Sequence, residues 1–318
     1  LYTMANINFD NNEQLQSSPS LQQEEVSTQA PSVAEYAQPS SYSSESNLGL
    51  SEIELNDANK INVTIADTEA PLLMLFGPPS CGKTMTLIRL TRYLQKKGYT
   101  VAPIPSFRPS YDKNYRELCE NFNAMINSSD AAKATSNVSF MLVEVLKEGR
   151  RVCQILEAPG EYYFNPENPM ADFPAYFNKI INMTSRKIWL FFLEPIWRED
   201  QDRRNYVKRI EMVKNRSRAH DKAIFVLNKI DKTNYVIAPG RVHRQQALQQ
   251  VSFLYPNLFV PFRNTNPITS FFHQYNFDFV TMHTGDYVAA VDGTLTFQEG
   301  PEEYVAEFWK IIQRHIRG

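Results

Sequence analysis

The segment 77–84, with the sequence GPPSCGKT, constrains the fold more than any other part of this 318-residue chain. It fits the pattern G-x-x-x-x-G-K-[ST] and directly follows the apolar run Pro71–Phe76. A continuous apolar run of this kind is typical of a strand that is buried on both faces of a sheet. Leucines at helical spacing follow the segment as far as Gly98, which indicates a helix over 83–97. The sequence therefore predicts a strand, a tight glycine-rich loop and a helix in succession.

The composition of this loop suits the binding of phosphate groups. Glycines let the backbone approach a phosphate closely, and successive N–H groups at a helix N-terminus meet its negative charge. Lys83 would reach the β- and γ-phosphates as a catalytic cation, and Thr84 would give its hydroxyl to Mg²⁺. The alternative is an ordinary glycine turn. Eight residues are expected to bind the nucleotide here: Gly77, Pro78, Pro79, Ser80, Cys81, Gly82, Lys83 and Thr84.

A second motif, N-K-x-D, follows another apolar run, Ala223–Leu227. Its aspartate, Asp231, can accept hydrogen bonds from the N1–H and 2-amino groups of guanine, a donor pair that adenine lacks. A buried carboxylate left unpaired by the wrong base is costly, and this creates selectivity. Asn228 would brace the loop and the stem of Lys229 would lie along the base. The alternative is a solvated polar loop at the end of a strand.

With these two motifs, residues 70–318 resemble the P-loop GTPases of the translation-factor-like (TRAFAC) class, which includes Ras-like and Era-like proteins. The resemblance implies an α/β fold with a doubly wound P-loop NTPase sheet. That sheet is mostly parallel, has one antiparallel hairpin strand and carries helices on both faces. The resemblance also implies Mg²⁺ as cofactor and GTP or GDP as ligand.

The family motif D-x-x-G corresponds here to Glu157–Gly160, after a strand-like run. The resemblance implies that Glu157 holds Mg²⁺ through water and that the N–H of Gly160 contacts the γ-phosphate. Glu157 is one methylene longer than the usual aspartate. Glu161 stands where the family orients the attacking water, so it is the second candidate catalytic residue. Its charge beside the γ-phosphate predicts slow intrinsic hydrolysis. A Pro-Gly turn and a solvated glutamate are the alternatives.

Two further parts of the site follow from the resemblance. A switch I threonine, which would contact Mg²⁺ and the γ-phosphate, is best matched by Thr135, although Ser136 and Ser139 compete with it. The last family motif falls at the end of the strand predicted over Phe277–Thr281. Backbone N–H groups there would contact the guanine O6, and the residues concerned are Thr281, Met282 and His283.

Apolar periodicity along the rest of the chain alternates between strand and helix patterns, which is typical of an α/β sheet. A short edge strand is expected at Ile61–Ile65, and a hairpin turn at Lys147–Arg150. The segment 105–134 is polar, irregular and only weakly helical. Further strands are expected at 100–104, 138–146, 151–156, 187–193, 223–227 and 277–281, and helices at 171–185, 200–216, 241–254 and 301–316.

Charge is distributed unevenly along the chain. Residues 1–59 contain nine acidic side chains and no Lys or Arg, whereas residues 60–318 contain 33 basic and 26 acidic side chains. The first segment is also rich in Ser, Gln and Asn, so it is expected to be a disordered tail. Residues 60–318 are expected to form the P-loop GTPase domain. The tail either aids solubility or is an arm that binds a partner or masks the basic domain.

Several classes of protein are disfavoured by composition. Three cysteines without a CxxC pair argue against a disulfide framework and a cysteine-rich zinc site. No apolar run approaches the roughly 20 residues of a membrane span. No secretory signal is visible, so a cytoplasmic location is expected. The basic residues of one predicted helix would form a solvated face, and without an RNA-binding motif nucleic acid is not an expected partner: Arg203, Arg204, Lys208, Arg209, Lys214, Arg216 and Arg218.

The sequence thus favours a Mg²⁺-dependent GTP-binding switch protein that hydrolyses GTP to GDP slowly. The long connections 105–134 and 255–276 indicate surfaces for a protein effector or regulator. One alternative is a guanine-nucleotide-gated scaffold with negligible hydrolysis. Another is a P-loop ATPase or small-molecule kinase, which both the hairpin and the N-K-x-D motif disfavour.

Overall fold

The computed structural model of the chain describes residue 57 and residues 59–127, 140–165, 168–197, 199–266, 271, 274–289 and 295–317. These residues belong to a compact unit that runs from Leu48 to Gly318. The expected acidic tail, apart from residues 57 and 59, lies outside the described residues, and so does Thr135. Both remain predictions.

Seven strands form one central sheet. They are β1 (Leu72–Phe76), β2 (Tyr99–Pro103), β3 (Met141–Lys147), β4 (Arg150–Glu157), β5 (Lys187–Leu193), β6 (Lys222–Leu227) and β9 (Asp278–Thr281). Their order across the sheet is β2-β3-β4-β1-β5-β6-β9. Strand β3 is antiparallel to both of its neighbours, and the other neighbouring strands are parallel. This confirms the predicted fold class, a mostly parallel sheet with one antiparallel hairpin strand.

Two short hairpins and six helices complete the described part of the fold. The hairpins pair β7 (Val236–Ala238) with β8 (Arg241–Val242), and β10 (Gly285–Ala289) with β11 (Leu295–Glu299). The helices are α1 (Lys83–Lys96), α2 (Lys113–Asn127), α3 (Ala175–Ile181), α4 (Asp200–Arg216), α5 (Arg244–Leu254) and α6 (Glu302–Arg317). None of these helices combines the length and the apolarity that a membrane span requires.

The centre of the sheet is covered on both faces. Every side chain of β1 and of β5 is buried. Because successive side chains of a strand point to opposite faces, burial of them all requires packed layers on both sides. Phe76, at the end of β1, stacks on Tyr163 with ring centroids 4.8 Å apart. The hydrophobic core therefore continues up to the edge of the sheet where the glycine-rich loop begins.

The predicted hairpin between β3 and β4 is confirmed. Its two-residue turn consists of Glu148 and Gly149, both with positive φ, at 51° and 74°. Positive φ at both positions is what the tight turns favoured by right-twisted strands require, and glycine adopts it without steric cost. The turn sets the register in which Lys147 pairs with Arg150.

Ile61–Ile65 is not a strand, and that prediction was wrong. Its residues are alternately buried and exposed, but the segment runs irregularly. The backbone N–H of Thr64 donates to the carbonyl of Phe107, 2.9 Å away. The alternation of apolar and polar residues therefore predicted correctly which side chains face the core. It did not predict that the segment lacks strand pairing.

Helix α2 occupies much of the segment that appeared irregular in the sequence. The carboxylate of Asp112 accepts a hydrogen bond from the N–H of Tyr115 at 3.0 Å, as an N-terminal cap does. Tyr115, Phe122 and Ile126 are buried along one side of the helix. The capping residue and this apolar stripe are the sequence signals that identify the helix.

Candidate nucleotide-binding site

The glycine-rich segment connects β1 to α1 in a tight loop. Ser80 and Gly82 have positive φ, at 62° and 89°, and Gly82 immediately precedes the first residue of α1. A Cβ atom on Gly82 would lie 2.1 Å from Nδ2 of Asn228. Only glycine suits both the backbone conformation and this close approach. The loop thereby presents the N-terminus of α1 at the carboxyl edge of the sheet, where an anion is favoured.

Lys83 lies across this loop. Its side chain is buried, and its ammonium donates to the carbonyl oxygens of Gly77 and Pro78, each 3.1 Å away. These contacts fold the side chain back over the N-terminus of its own helix. A fixed positive charge is thereby held where the helix N-terminus already favours an anion.

Thr84 and Glu157 come together at the start of α1. The Thr84 hydroxyl donates to Oε1 of Glu157 at 2.9 Å. Glu157 is 2% exposed, and burial raises its pKa to about 7, although the charge of Lys83 and the bond from Thr84 oppose the rise. Its other carboxylate oxygen, Oε2, is buried without a hydrogen-bond partner among the described residues.

These two residues fit a hard divalent cation. Mg²⁺ prefers oxygen ligands, and hydroxyl and carboxylate oxygens are both present. An unpaired buried carboxylate oxygen is costly, and a cation beside it would remove that cost. The arrangement therefore suits the metal role expected of Thr84 and Glu157.

Gly160 packs directly on the glycine-rich loop. A Cβ atom there would lie 2.2 Å from the backbone nitrogen of Pro79 and 2.3 Å from the carbonyl carbon of Pro78. Such distances exclude any side chain. The next residue, Glu161, is exposed and helps to line a cavity of about 690 Å³ together with Pro78 and Pro79. The structure thus brings Gly160 and Glu161 beside the loop, as expected.

The N-K-x-D segment is bonded to the same loop. Nδ2 of Asn228 donates to the carbonyl of Cys81 at 2.9 Å. The ammonium of Lys229 donates to the carbonyl of Ser80 at 3.1 Å and to Oε1 of Glu194 at 2.9 Å. Two side chains of the second motif therefore fix their position relative to the first, although the motifs are far apart in the sequence.

The last motif lies next to the second. The N–H of Ile230 donates to the carbonyl of Met282 at 3.2 Å, and the N–H of Met282 donates to the carbonyl of Leu227 at 2.8 Å. Thr281 ends β9 beside β6, and His283 follows within the same loop. Asp231, which is mostly buried, belongs to the same group of loops. All the predicted site residues that the structure describes thus gather at the carboxyl edge of the sheet, where open α/β sheets bind ligands.

The fold is a mostly parallel α/β sheet of the P-loop NTPase type. The mixed sheet, the glycine-rich loop between β1 and α1, and the N-K-x-D loop after β6 occupy the positions that this fold gives them.

Comparisons with known proteins match only parts of this chain or match it distantly. No protein-family model matches the chain. The chain is 34% identical over 79 residues to the signal recognition particle 54 kDa protein of Methanopyrus kandleri, a match that spans 24% of this chain and 17% of that protein.

Three solved structures with similarity to this chain are distant from it in sequence. The nucleolar GTP-binding protein 1 of Plasmodium falciparum has a TM-score of 0.39 at 11% identity, covering 80% of this chain and 90% of the other. Roco2 of Methanosarcina barkeri, bound to GDP, has a TM-score of 0.32 at 11% identity, covering 81% of this chain and 51% of the other. The GTPase-like domain of Ski7 from S. cerevisiae, bound to GDP and inorganic phosphate, has a TM-score of 0.38 at 15% identity, covering 79% of this chain and 51% of the other. The chain thus spans about half the length of the last two.

One residue of the predicted basic face is not solvated. Arg209 is 3% exposed, and its guanidinium lies 3.8 Å from the ring centroid of Phe173. It donates to the carbonyls of Tyr163, at 2.8 Å, and of Ala171. Burial lowers the pKa of Arg209 to about 10. The side chain therefore holds the segment that follows Gly160 against α4, a role the charge pattern alone did not reveal.

Two arginines outside the motifs, Arg108 and Arg150, belong to other parts of the fold. Arg108 is 7% exposed and forms an ion pair with Asp112 at 2.6 Å. Arg150 begins β4, whereas Glu157 ends it, so the two lie at opposite edges of the sheet.

Proposed function

We propose that this protein binds GTP and GDP with Mg²⁺ and hydrolyses GTP to GDP slowly as a molecular switch. The observation that carries the proposal is the pair of bonds from Asn228 and Lys229 to the carbonyls of Cys81 and Ser80. They hold a loop suited to guanine at a fixed position beside a loop suited to phosphates. A guanine nucleotide has both groups in one molecule.

Phosphate binding would fall to the loop 77–84. Its backbone N–H groups and the N-terminus of α1 supply partial positive charge, and the ammonium of Lys83 supplies a full one. On arrival of a triphosphate, Lys83 would exchange its bonds to the carbonyls of Gly77 and Pro78 for stronger ones to phosphate oxygens. The N–H of Gly160 would contact the γ-phosphate.

Base selection would fall to Asp231 and the backbone of Thr281–His283. Asp231 would accept from the N1–H and 2-amino groups of guanine, and the backbone N–H groups would donate to O6. Adenine presents no such donor pair to the carboxylate, and its 6-amino group would meet backbone donors.

Thr84 and Glu157 would hold Mg²⁺, together with Thr135 from outside the described residues. The ion supplies positive charge that neutralises the phosphate oxygens. Glu157, whose pKa burial raises to about 7, would become fully ionised beside the cation. The negative charge of Glu157 would thus be favoured mainly when Mg²⁺ is bound beside it.

Hydrolysis would proceed by attack of water on the γ-phosphorus, with cleavage of its bond to the bridging oxygen and release of GDP and phosphate. Glu161 would position that water. Its negative charge opposes the charge that accumulates on the phosphoryl oxygens, which is the reason for slow turnover. We further propose that a protein partner accelerates the reaction. We also propose that the chain belongs to the TRAFAC class, a proposal that the antiparallel β3 supports.

A scaffold gated by guanine nucleotide, with negligible hydrolysis, is the second candidate. Two carboxylates beside the phosphate loop, Glu157 and Glu161, favour it, because each adds negative charge near the transferred group. The two candidates share nucleotide binding and differ only in phosphate release.

The test is a titration of the full chain with fluorescent GDP, followed by competition with GTP and ATP in the presence of Mg²⁺. GTP should displace the probe and ATP should not. Lys83→Ala should weaken GTP far more than GDP, while Lys96→Ala, an exposed position on the same helix, should leave both unchanged. Equal competition by ATP would contradict the proposal. Phosphate release, measured with Mg²⁺ and with a chelator, then separates the switch from the scaffold.

A further inference from the structure

A carboxylate outside the motifs lies beside the lysine of the N-K-x-D segment. Glu194 directly follows β5, and Asn228 and Lys229 follow β6, which is its parallel neighbour. The two strands pair in register up to Leu193 and Leu227, and the N–H of Asn228 donates to the carbonyl of Leu193 at 2.9 Å. The residues that follow these strands therefore leave the sheet side by side, which brings Glu194 next to Lys229.

The ammonium of Lys229 has two acceptors. Nζ lies 2.9 Å from Oε1 of Glu194 and 3.1 Å from the carbonyl oxygen of Ser80 in the loop 77–84. Hydrogen bonds between ionised partners are shorter and stronger than those to neutral acceptors. The side chain of Glu194 is 15% exposed and that of Lys229 is 38% exposed, so water and salt screen this pair less than a fully exposed one. Glu194 is therefore the stronger of the two acceptors.

The backbone of Glu194 is itself held by a buried side chain. Its N–H donates to the hydroxyl of Tyr255 at 3.1 Å, and that hydroxyl donates to the carbonyl oxygen of Glu194 at 2.8 Å. Tyr255 is fully buried at the end of α5. Two hydrogen bonds to one buried hydroxyl leave this part of the backbone little freedom. The carboxylate of Glu194 thus extends toward Lys229 from a fixed position.

Lys229 needs such support for two reasons. Its φ of 55° lies in the left-handed region, which residues with a Cβ atom adopt at a cost. A lysine side chain also loses much rotamer freedom when it becomes ordered. The stem of Lys229 is proposed to lie along the base, and a stem that is already ordered spares the nucleotide that entropic cost.

We propose that Glu194 is a positioning residue of the guanine site, and that its carboxylate holds the ammonium of Lys229 so that the stem of Lys229 is ordered before a nucleotide binds. The inference rests on the proposed binding of guanine nucleotides. A carboxylate beside a loop that binds anions would otherwise repel the nucleotide. Positioning and repulsion therefore predict opposite results when the carboxylate is removed.

The experiment measures how fast fluorescent GDP dissociates from the full chain with Mg²⁺ when unlabelled GDP is added in excess. Glu194→Ala should speed dissociation about tenfold, and Glu194→Gln, which keeps the shape and a neutral acceptor, about threefold. Asp202→Asn is the matched control, because it removes a charge from the cavity that Glu194 also lines and leaves the bond to Lys229 in place. Its rate should stay within about twofold of the unaltered chain.

A double-mutant cycle separates positioning from a merely structural role. Lys229→Met keeps an apolar stem and removes the ammonium. In that background Glu194→Ala should not speed dissociation further, because the carboxylate has no ammonium left to hold. The ratio of GTP to GDP affinity should also be the same in Glu194→Ala as in the unaltered chain, since the lost support concerns the base. A general disturbance of the loop 77–84 would change that ratio.

Unchanged or slower dissociation from Glu194→Ala and Glu194→Gln would overturn the inference, and so would an acceleration that persists in the Lys229→Met background. Absence of GDP binding in the unaltered chain would instead reject the proposed function, and the inference with it. If the unaltered chain binds GDP and the Glu194 variants release it no faster, only the inference fails.

Discussion

Gly82 and Asn228 approach each other so closely that a single methyl group on the glycine would meet the amide nitrogen of the asparagine at 2.1 Å. That nitrogen donates to the carbonyl of Cys81, the residue before Gly82. The phosphate loop and the N-K-x-D loop are thus fitted to one another before any ligand binds. Preorganisation of this kind lowers the entropic cost of binding a nucleotide that contacts both loops.

Gly82→Ala should therefore disturb both loops. The strained φ of 89° and the loss of the Asn228 bond should together reduce stability by about 2–4 kcal/mol. Affinity for GDP should fall at least about tenfold, because the loops lose their fit. Gly149→Ala is the matched control, since Gly149 has φ 74° with nothing within 4 Å of a Cβ atom. It should cost only about 1 kcal/mol in urea unfolding and leave GDP binding intact.

Asp231→Asn should lower the affinity for GDP at least about tenfold, because an amide offers one acceptor and one donor to the two donors of guanine. The affinity for ADP should stay as low as in the unaltered chain. Asp172→Asn, at an exposed aspartate, is the control for loss of charge alone. Competition against fluorescent GDP measures all of these. An Asp231→Asn chain with unchanged GDP affinity would remove Asp231 from the base site.

Glu157→Gln should change how stability depends on pH. Burial raises the pKa of Glu157 from 4.5 to about 7 in the folded protein. The protonated form thus stabilises the fold fully below about pH 4.5, and that stabilisation is lost as the pH rises through about 7. Relative to the glutamine variant, the free energy of unfolding of the unaltered chain should fall by about 3 kcal/mol between about pH 4.5 and about pH 7.

The measurement is urea unfolding of nucleotide-free protein in a chelator at several pH values, so that no cation offsets the carboxylate. Glu117→Gln, at an exposed position on α2, should follow the unaltered chain. Parallel pH profiles for Glu157→Gln and the unaltered chain would show that Glu157 does not carry the linkage.

Glu161→Gln should raise the rate of GTP hydrolysis severalfold, because it keeps the shape of the side chain and removes a negative charge beside the γ-phosphate. Single-turnover phosphate release measures the rate, with Glu211→Gln on the exposed side of α4 as the control. A fall in rate would identify Glu161 as a base instead. An unchanged rate would show that it faces solvent during the reaction.

Arg209→Met should destabilise the chain by about 2–4 kcal/mol, because the carbonyls of Tyr163 and Ala171 lose their donor while buried. Limited proteolysis should also become faster between Tyr163 and Phe173, the segment that the guanidinium holds. Arg204 is exposed on the same helix and makes none of these contacts. The stability of the Arg204→Met variant should therefore stay within about 0.5 kcal/mol of the unaltered chain. Equal effects of the two variants would contradict the clamping role of Arg209.

The central strands could be predicted from the sequence because they are buried on both faces. β5 has the bounds predicted for it, and β1 and β6 differ by one residue from the apolar runs that predicted them. The hairpin of β10 and β11 carries no such signal, since it lies outside the main sheet. It is held to α1 by long-range contacts: Phe297 packs on Met85 and Ile88, and Glu299 pairs with Arg92 at 3.1 Å.

The two motifs of the candidate site were readable because each is local, with a fixed spacing of residue types. The side chains that contact these motifs from other parts of the chain could not be predicted in this way. Glu194 binds Lys229 from 35 positions earlier in the chain, and the only local hint is an acidic residue directly after a buried strand. The position of the His283 side chain beside Asp231 likewise depends on how β6 and β9 align, which no spacing in the sequence specifies.

The two outer strands of the main sheet have a consequence for self-association. An unpaired strand edge is a template on which a second chain can add a strand and start aggregation. β2 ends in Pro103, which lacks the N–H that such pairing needs. β9 has four residues, and its Asp278 is bonded to His315 at 2.7 Å and Arg314 at 3.1 Å on α6. Both margins of the sheet thus carry features that disfavour edge-to-edge growth.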